Sequence, residues 1–305
     1  MTRSAAGIVP RRAFLRAIGH EEVALPKVGA PDRDGSAAGG PERLASGKLL
    51  LDEPVPGVAR LTISNPAKRN ALDHELLDAL AATTGRLDAR CLLIAGEGEI
   101  FSAGYDIGGF HDPELFAREA ERLVAHPFHD AIVALERYPY PVVAAINGPA
   151  IGGGLELAVT ADLRLAVRGA KLGMPPAKLG LIYSHTGLRR FVETCGLAAT
   201  NELFYVGRNV DADRALAIGL VNHVVEPGEL EERSVSVAAE IAANSPLSLS
   251  GNKRILRALR EHRGALPEDL ERELVALRES CFDSEDFHEG VAAFAEKRAP
   301  EWKGR

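Results

Sequence analysis

The sequence contains little cysteine and no excess of basic residues. Its 305 residues include three cysteines, Cys91, Cys195 and Cys281, which are odd in number and widely spaced. This pattern favours free thiols in a reducing cytosol over a disulfide framework. The 36 Lys and Arg face 43 Asp and Glu, which gives a net charge of −7. No basic stripe offsets this charge, so we expect no nucleic-acid partner, although a local cationic group still suits a small anionic ligand.

No apolar run reaches the roughly 18 residues of a membrane-spanning helix. The segment PRRAFLRAIG at 10–19 carries the paired arginines of a twin-arginine export signal. Such a signal needs a following apolar segment of about 7–15 residues, but HEEVALPKVGAPDRDG is charged and contains prolines. The sequence therefore predicts a cytoplasmic protein that does not associate with membranes.

Two familiar catalytic or binding motifs are incomplete. Ser184 and His185 are adjacent, so their side chains diverge, and no G-x-S-x-G motif of a serine hydrolase occurs. The segment GEGEIF at 96–101 begins like a dinucleotide fingerprint, but Phe101 stands at the third glycine. A serine hydrolase and a nicotinamide cofactor are both disfavoured.

A metal site is also disfavoured. His126 and His129, with Asp130, have the spacing of metal ligands on one helix. No further ligand cluster accompanies them, so we interpret them as surface or core histidines and predict no metal.

The chain divides into three parts by composition and periodicity. Residues 1–46 are rich in Gly, Ala, Arg and Pro and are predicted to be a disordered extension. Residues 47–235 alternate short β-type runs with helical patterns, which indicates an α/β fold. Residues 236–305 have the pattern of amphipathic helices without a strand. The predicted strands are VARLTIS (58–64), CLLIAG (91–96), PVVAAIN (141–147) and LRLAV (163–167), and the predicted helices cover 74–87, 118–126 and a segment that begins at Arg214.

The stretch GPAIGGGLELA at 148–158 places three glycines and one carboxylate, Glu156, in an apolar region. Glycines between a strand and a helix allow other atoms to approach the backbone, and a helix start exposes unpaired N–H groups that suit an oxyanion. Glu156 follows Gly153 by three residues, so it lies on nearly the same helix face. The alternative is a glycine-rich turn that packs on a neighbouring helix, with Glu156 in solvent.

A second stretch, IFSAGYDIGGF at 100–110, has small residues just before Tyr105. It follows a predicted strand and can also bring a backbone N–H to a ligand. Two donors, from Tyr105 and Gly153, would form a two-point oxyanion hole.

Several separated motifs resemble the crotonase superfamily, also called the enoyl-CoA hydratase/isomerase family. The resemblance covers roughly residues 48–305 and excludes the N-terminal extension. The motifs are ARLTISNPAKRNALD, FSAGYDI, INGPAIGGGLELAVTADLRLA, KLGMPPAKLGLIYSHTGLRRF and the downstream pair ALAIGLVNHVVEPGEL and FDSEDFHEGVAAFAEKRAPEW.

The resemblance implies a spiral of ββα turns, a C-terminal helical region used in trimer or hexamer assembly, and an acyl-CoA substrate. Coenzyme A would be part of that substrate, so no separate cofactor is expected. By position, the N–H groups of Tyr105 and Gly153 would hold the thioester oxygen, with Glu156 and Tyr183 as the other catalytic residues. The implied substrate-binding residues are Lys68, Arg69 and Ala71 near the phosphates or pantetheine, Ala103 and Ile107 near the adenine, and Phe294 and Lys297 over the CoA.

The same resemblance separates the possible reactions. Hydratases of this family use two glutamates; the first matches Glu156, but the second position holds Pro176, which cannot transfer a proton. The segment PPAKLGLIYSHTGLRRF, with Tyr183, is similar to the methylmalonyl-CoA decarboxylase branch. Two residues depart from that branch, which has histidine at Tyr105 and threonine at Pro175.

We therefore predict an acyl-CoA lyase that stabilises an enolate, such as a decarboxylase of a methylmalonyl-CoA-like substrate. One alternative is an enoyl-CoA hydratase or isomerase with Glu156 as its acid/base. Another is a non-catalytic assembly protein that retains the fold. Tyr183 has its own alternative, a buried tyrosine whose hydroxyl bonds a backbone carbonyl.

Overall fold

Short apolar runs form the strands at the centre of the fold. The computed structural model describes residues 40–106, 118, 122, 124–244, 246–263, 272, 276, 279, 283 and 285–298. The strands among them are β1 (Glu42–Leu44), β2 (Leu49–Val55), β3 (Val58–Ile63), β4 (Cys91–Gly96), β5 (Val142–Ile146), β6 (Ala150–Ile151), β7 (Leu163–Val167), β8 (Lys171–Gly173), β9 (Val210–Asp211) and β10 (His223–Val225).

Seven strands form the main sheet in the order β1-β2-β3-β4-β5-β7-β10. The first three are antiparallel, and β3, β4, β5, β7 and β10 are mutually parallel. In the parallel part, Leu61 pairs with Ile94 and Ile94 pairs with Ala144. All five residues of β5 are buried, as expected for a strand covered on both faces. The four predicted strands and the α/β class are confirmed.

A second, three-stranded sheet has the order β6-β8-β9. Its strands have only two or three residues each. Ala150 of β6 pairs with Leu172 of β8 and also bridges Ser102. This small sheet therefore ties the glycine-rich stretch to the segment after β4.

Helices cover both faces of the main sheet. Within the described residues, the α-helices of at least six residues are α1 (His74–Arg86), α2 (His129–Arg137), α3 (Gly153–Thr160), α4 (His185–Asn201), α5 (Ala212–Ala217), α6 (Leu230–Ala243), α7 (Pro246–Arg263) and α8 (Glu285–Glu296). The predictions at 74–87 and near Arg214 correspond to α1 and α5. Of the predicted helix at 118–126, residues 119–121 and 123 lie outside the described residues, and Val124–Phe128 form a π-helical turn. None of the described helices is both long and apolar enough to cross a bilayer.

Two predicted boundaries differ from the structure. Residues 42–44, inside the predicted disordered extension, form β1 and pair with β2; residues 1–39 lie outside the described part. The boundary between 235 and 236 falls inside α6. Ala238 and Ala242 of this helix pack with Val58 and Val143 on one sheet face, so α6 belongs to the core because it covers sheet residues that would otherwise be exposed to water.

The C-terminal helices contact the rest of the unit through specific groups. The Lys253 ammonium on α7 donates to the Asp162 carboxylate at 2.8 Å and to the Tyr140 carbonyl at 2.9 Å. On α8, a Cβ added to Gly290 would lie 2.4 Å from the Leu179 carbonyl oxygen, so glycine permits close packing there. Helix α8 therefore packs directly on the turn at Pro176–Leu179.

A left-handed turn between β3 and α1 connects these elements to the sequence motifs. Arg69 and Asn70 both have φ of 55°, a conformation that asparagine tolerates better than most residues. The fully buried Asn70 side chain accepts from the Asn65 N–H at 2.9 Å and donates to the carbonyls of Glu97 (2.9 Å) and Ile100 (2.6 Å). One side chain therefore joins the β3–α1 turn to the segment after β4.

We predict that Asn70→Ala lowers the free energy of unfolding by about 2–4 kcal/mol, because it leaves buried backbone groups without partners. Urea unfolding of the purified variant measures this change. Asn147→Ala is the control: Asn147 donates one bond, to the Gly98 carbonyl, so its loss should cost only about 1 kcal/mol. Equal stability of the two variants would contradict the role assigned to Asn70.

Candidate active site

The glycine-rich stretch forms a junction between two strands and a helix. Strand β5 ends at Ile146, β6 covers Ala150–Ile151, and α3 begins at Gly153. Gly152 has φ of 56° and ψ of −125°, which favours glycine. No described carbonyl accepts the Gly153 N–H, as expected for the first residue of a helix. The structure therefore contains the predicted helix start at Gly153, preceded by the short strand β6. Its first N–H group has no described backbone acceptor.

The segment after β4 packs against this junction. The Ser102 N–H donates to the Pro149 carbonyl at 3.2 Å, and the Ser102 carbonyl accepts from the Ile151 N–H at 3.0 Å. A Cβ added to Gly104 would lie 2.8 Å from the Ile151 carbonyl oxygen and 3.3 Å from the Gly153 nitrogen. The absence of a side chain at Gly104 thus brings the backbone just before Tyr105 next to Gly153.

The KRNA turn lies beside the same segment. The Ala103 N–H donates to the Arg69 carbonyl at 3.0 Å. Lys68 forms an ion pair with Asp106 at 2.5 Å, directly after Tyr105. Ala71 is buried, so its side chain contributes to packing. Three of the predicted substrate-binding residues, Lys68, Arg69 and Ala103, therefore lie on adjoining backbone segments.

The other predicted substrate-binding residues are farther along the chain. Ile107 lies outside the described residues, as does the side chain of Phe294, whose backbone belongs to α8. Lys297 follows α8 and is exposed, with φ of 54°. The packing of α8 on the Pro176 turn links this helix to the site; the contribution of Phe294 and Lys297 to substrate binding stays a prediction.

Glu156 is the buried carboxylate at the centre of the site. It is 3% exposed, and every residue of α3 around it is buried. One carboxylate oxygen, Oε1, accepts from Arg190 Nη1 at 3.0 Å, and Oε2 accepts from the Tyr183 hydroxyl. Burial raises the pKa of Glu156, while the charge of Arg190 and the Tyr183 hydrogen bond oppose that rise. The alternative with Glu156 in solvent is wrong.

Tyr183 donates to Glu156 rather than to a backbone carbonyl. Its ring packs edge-on against Phe204, with centroids 5.4 Å apart. Burial, followed by the charge of Glu156, raises the pKa of the Tyr183 hydroxyl well above its usual value, so the phenol stays protonated. A Cβ added to Gly187 would lie 2.5 Å from the Tyr183 ring and 2.9 Å from Glu156 Oε1, so glycine makes room for this pair.

The side chain of Tyr105 also borders the site. Its ring covers Gly153 so closely that an added Cβ would lie 2.5 Å from Tyr105 Cε1. The ring also packs edge-on against Phe128 at 5.0 Å, and its hydroxyl lies near enough to Tyr183 to contribute to the raised pKa of that phenol. The sequence predicted a role only for the backbone of Tyr105; the structure places its phenol beside the site as well.

Two charged residues of the site were missed from the sequence. Arg190 on α4 is 7% exposed and donates from Nε to Glu136 Oε1 at 2.9 Å, in addition to its bond to Glu156. Glu136 lies on α2, 54 residues away in sequence. The one available signal was indirect: a buried Glu156 needs a cation, but LRRF does not identify which arginine.

The motifs that were disfavoured have structural explanations. Ser184 is the N-cap of α4, where its Oγ accepts from the Gly187 N–H at 3.1 Å. His126, His129 and Asp130 are exposed. Within the described residues, no three His, Cys, Asp or Glu side chains cluster as metal ligands would. Pro176 is buried at the position where the resemblance implies a second carboxylate in hydratases.

Comparisons with known proteins agree with this architecture. The sequence profile described as enoyl-CoA hydratase/isomerase matches residues 54–305. The chain is 36% identical over 254 residues to the probable enoyl-CoA hydratase of Bacillus subtilis (strain 168), covering 81% of this chain and 95% of that protein. It is 30% identical over 256 residues to methylmalonyl-CoA decarboxylase of Escherichia coli (strain K12), again covering 81% and 95%.

A solved structure gives the same result for the fold. A crystal structure of methylmalonyl-CoA decarboxylase superposes with a TM-score of 0.76 and 28% identity, covering 85% of this chain and 98% of that one. The profile, the relatives and the fold converge. The chain therefore belongs to the enoyl-CoA hydratase/isomerase family, within the crotonase superfamily.

Proposed function

We propose that this protein is an acyl-CoA lyase that releases CO₂ from a 2-carboxyacyl-CoA such as methylmalonyl-CoA. The observation that carries the proposal is the pair of partners on the Glu156 carboxylate: a tyrosine hydroxyl on one oxygen and an arginine on the other. Pro176 occupies the position of a second catalytic carboxylate. The similarity to a methylmalonyl-CoA decarboxylase in sequence and in fold supports the same reaction.

The backbone N–H groups of Tyr105 and Gly153 would form the oxyanion hole. The close approach of Gly104 to the Gly153 nitrogen supports this pairing. When the thioester becomes an enolate, negative charge develops on its oxygen. A fixed donor aimed at that oxygen contributes about 2.7–4 kcal/mol to the transition state.

The reaction needs no base to form the enolate. The bond between C2 and the carboxylate breaks, its electron pair moves toward the thioester oxygen, and CO₂ leaves. A proton from solvent water then adds to C2 and gives the acyl-CoA. The Tyr183 hydroxyl carries one hydrogen, which Glu156 accepts in the structure; on substrate binding, Tyr183 would turn this hydrogen toward the substrate carboxylate and orient it as CO₂ departs.

The second candidate is an enoyl-CoA hydratase or isomerase. The similarity to a Bacillus subtilis protein named probable enoyl-CoA hydratase favours it. Glu156 would then be the single acid/base. The proline at 176 weakens this candidate, because water addition in this family uses two carboxylates. The ion pair between Glu156 and Arg190 also weakens it. Glu136 does not replace the missing carboxylate, because it bonds a different nitrogen of Arg190.

We predict that the purified protein releases CO₂ from methylmalonyl-CoA faster than it hydrates crotonyl-CoA. With Pro176 in place, one of the two usual groups for water activation is missing. Mass spectrometry of products from a panel of acyl-CoAs measures both reactions. Rapid hydration of crotonyl-CoA without CO₂ from any malonyl-type thioester would favour the second candidate.

Tyr183→Phe should reduce decarboxylation by about 10- to 10²-fold, the scale of a lost hydrogen bond to a charged group. The ring and its packing on Phe204 remain, but the buried Glu156 loses one donor, so Tm should also fall by a few degrees. Tyr138→Phe is the matched control, since the Tyr138 hydroxyl donates to the Ala89 carbonyl and should affect stability only. The assay compares kcat and Tm of both variants, and equal kcat values would exclude Tyr183 from catalysis.

Gly153→Ala should lower kcat on the order of 10²-fold, as for the loss of one oxyanion donor. The new Cβ would collide with the Tyr105 ring and distort the donor pair. Gly85→Ala tests the same substitution in α1, where an added Cβ meets nothing within 4 Å, and should keep full activity. A folded Gly153→Ala variant with normal turnover would rule out this oxyanion hole; circular dichroism establishes folding.

A further inference from the structure

Arg190 divides its guanidinium between two carboxylates. Nη1 donates to Glu156 Oε1 at 3.0 Å, and Nε donates to Glu136 Oε1 at 2.9 Å. Both distances are those of charge-assisted hydrogen bonds. Arg190 is 7% exposed, so water screens these interactions weakly. The cation is therefore shared between the site and helix α2.

The outer carboxylate has a second cation. Arg260 on α7 lies 3.5 Å from Glu136 Oε1 and 3.0 Å from Glu193 Oε2. Arg260 is 47% exposed on its side chain, so solvent screens it more strongly than Arg190. The charges thus alternate along one chain of contacts, from Glu156 through Arg190, Glu136 and Arg260 to Glu193.

We propose that Arg190 is a positioning residue, which holds the Glu156 carboxylate in the orientation that accepts the Tyr183 hydroxyl. Glu136, which bonds the same guanidinium, weakens the attraction between Arg190 and Glu156. This inference rests on the proposed function, in which ionised Glu156 fixes the Tyr183 hydroxyl. Arg190 contacts Glu156, so it acts on the reaction through that carboxylate.

The geometry favours arginine over lysine at this position. The two carboxylates bond different nitrogens of a planar, rigid group. A lysine ammonium is a compact point charge and does not reproduce this fork. Arg190→Lys should therefore keep the charge but only part of the orientation.

Among the described residues, the titratable groups around Glu156 come from several elements that pack together. Arg190 lies on α4 and Tyr183 in the segment before it, and both donate to Glu156. Glu136 lies on α2 and contacts Arg190. Tyr105 lies next to Tyr183. Burial raises the pKa of Glu156, Arg190 lowers it and Glu136 raises it. Removal of the cation and removal of the second carboxylate should consequently have opposite effects.

The test measures the pH midpoint of the Glu156 carboxyl by ¹³C NMR of full-length protein labelled at glutamate Cδ, with the resonance assigned by Glu156→Gln. In Arg190→Met the midpoint should rise by about 1–3 pH units, because the favourable opposite charge is gone. In Glu136→Gln it should fall. Arg214→Met, which breaks an exposed pair with Glu202 at 2.8 Å, is the control and should leave the midpoint unchanged.

The kinetic consequence follows from the same sign. Activity that requires ionised Glu156 is lost as the pH falls through its pKa, so the acidic limb of kcat/KM should move to higher pH in Arg190→Met and to lower pH in Glu136→Gln. At the pH optimum of wild type, Arg190→Met should lower kcat more than it changes KM. If Arg190→Met does not fold, Glu136→Gln and Arg190→Lys carry the test.

The result separates this inference from the proposed reaction. An unchanged midpoint and acidic limb in both Arg190→Met and Glu136→Gln would overturn the positioning role, even in an enzyme that releases CO₂. Opposite midpoint shifts in an enzyme that only hydrates crotonyl-CoA would retain the Arg190 role and reject the decarboxylase. The NMR midpoint does not depend on which substrate is turned over.

Discussion

The site depends on the burial of one carboxylate in an apolar helix. An isolated charge moved out of water costs several kcal/mol or more even after the protein relaxes. Glu156 is 3% exposed, so its two oxygens need partners that reach it from other elements. Arg190 and Tyr183 supply them from α4 and the segment before it. The path of the chain into α4, including a glycine at 187 that leaves room for both side chains, follows from this requirement.

A second constraint acts on the backbone. The segment after β4 and the start of α3 approach so closely that side chains are excluded from Gly104, Gly153 and Gly154, where an added Cβ would lie within 3 Å of neighbouring atoms. Strands β4 and β5 are parallel neighbours in the main sheet, so the segments that follow them leave the same sheet edge. The side chain of Asn70 holds the turn between β3 and α1 against the segment after β4. Glycine and asparagine are thus needed at these positions because of geometry, independently of the reaction.

The sequence allowed prediction of the local part of this arrangement. Four strands could be predicted because buried parallel strands form short apolar runs between turns. They are Val58–Ile63, Cys91–Gly96, Val142–Ile146 and Leu163–Val167. Strands of two or three residues, such as Ala150–Ile151, have too few residues for a period. Glu136 could not be assigned, since 54 residues separate it from Arg190 and surface glutamates have the same local pattern. The predicted end of the disordered extension at residue 46 differs from the structure because β1 is stabilised by pairing with β2, which its own composition does not indicate.

The same physics separates what the backbone provides at the site from what individual side chains decide. The proposed oxyanion donors are backbone N–H groups, so their placement would depend on the glycines and on the path of the chain. The choice between CO₂ loss and water addition depends on what faces the enolate carbon. In the reaction proposed above, that choice would rest on a few side chains: Pro176, which cannot carry a proton, and the tyrosines Tyr105 and Tyr183. Burial raises the pKa of Glu156, but both of its oxygens already accept a hydrogen bond, from Arg190 and from Tyr183, so a water molecule would have to compete with these donors to pass its proton to the carboxylate. The charge network around Glu156 therefore favours orientation of a neighbouring hydroxyl over proton abstraction by the carboxylate itself.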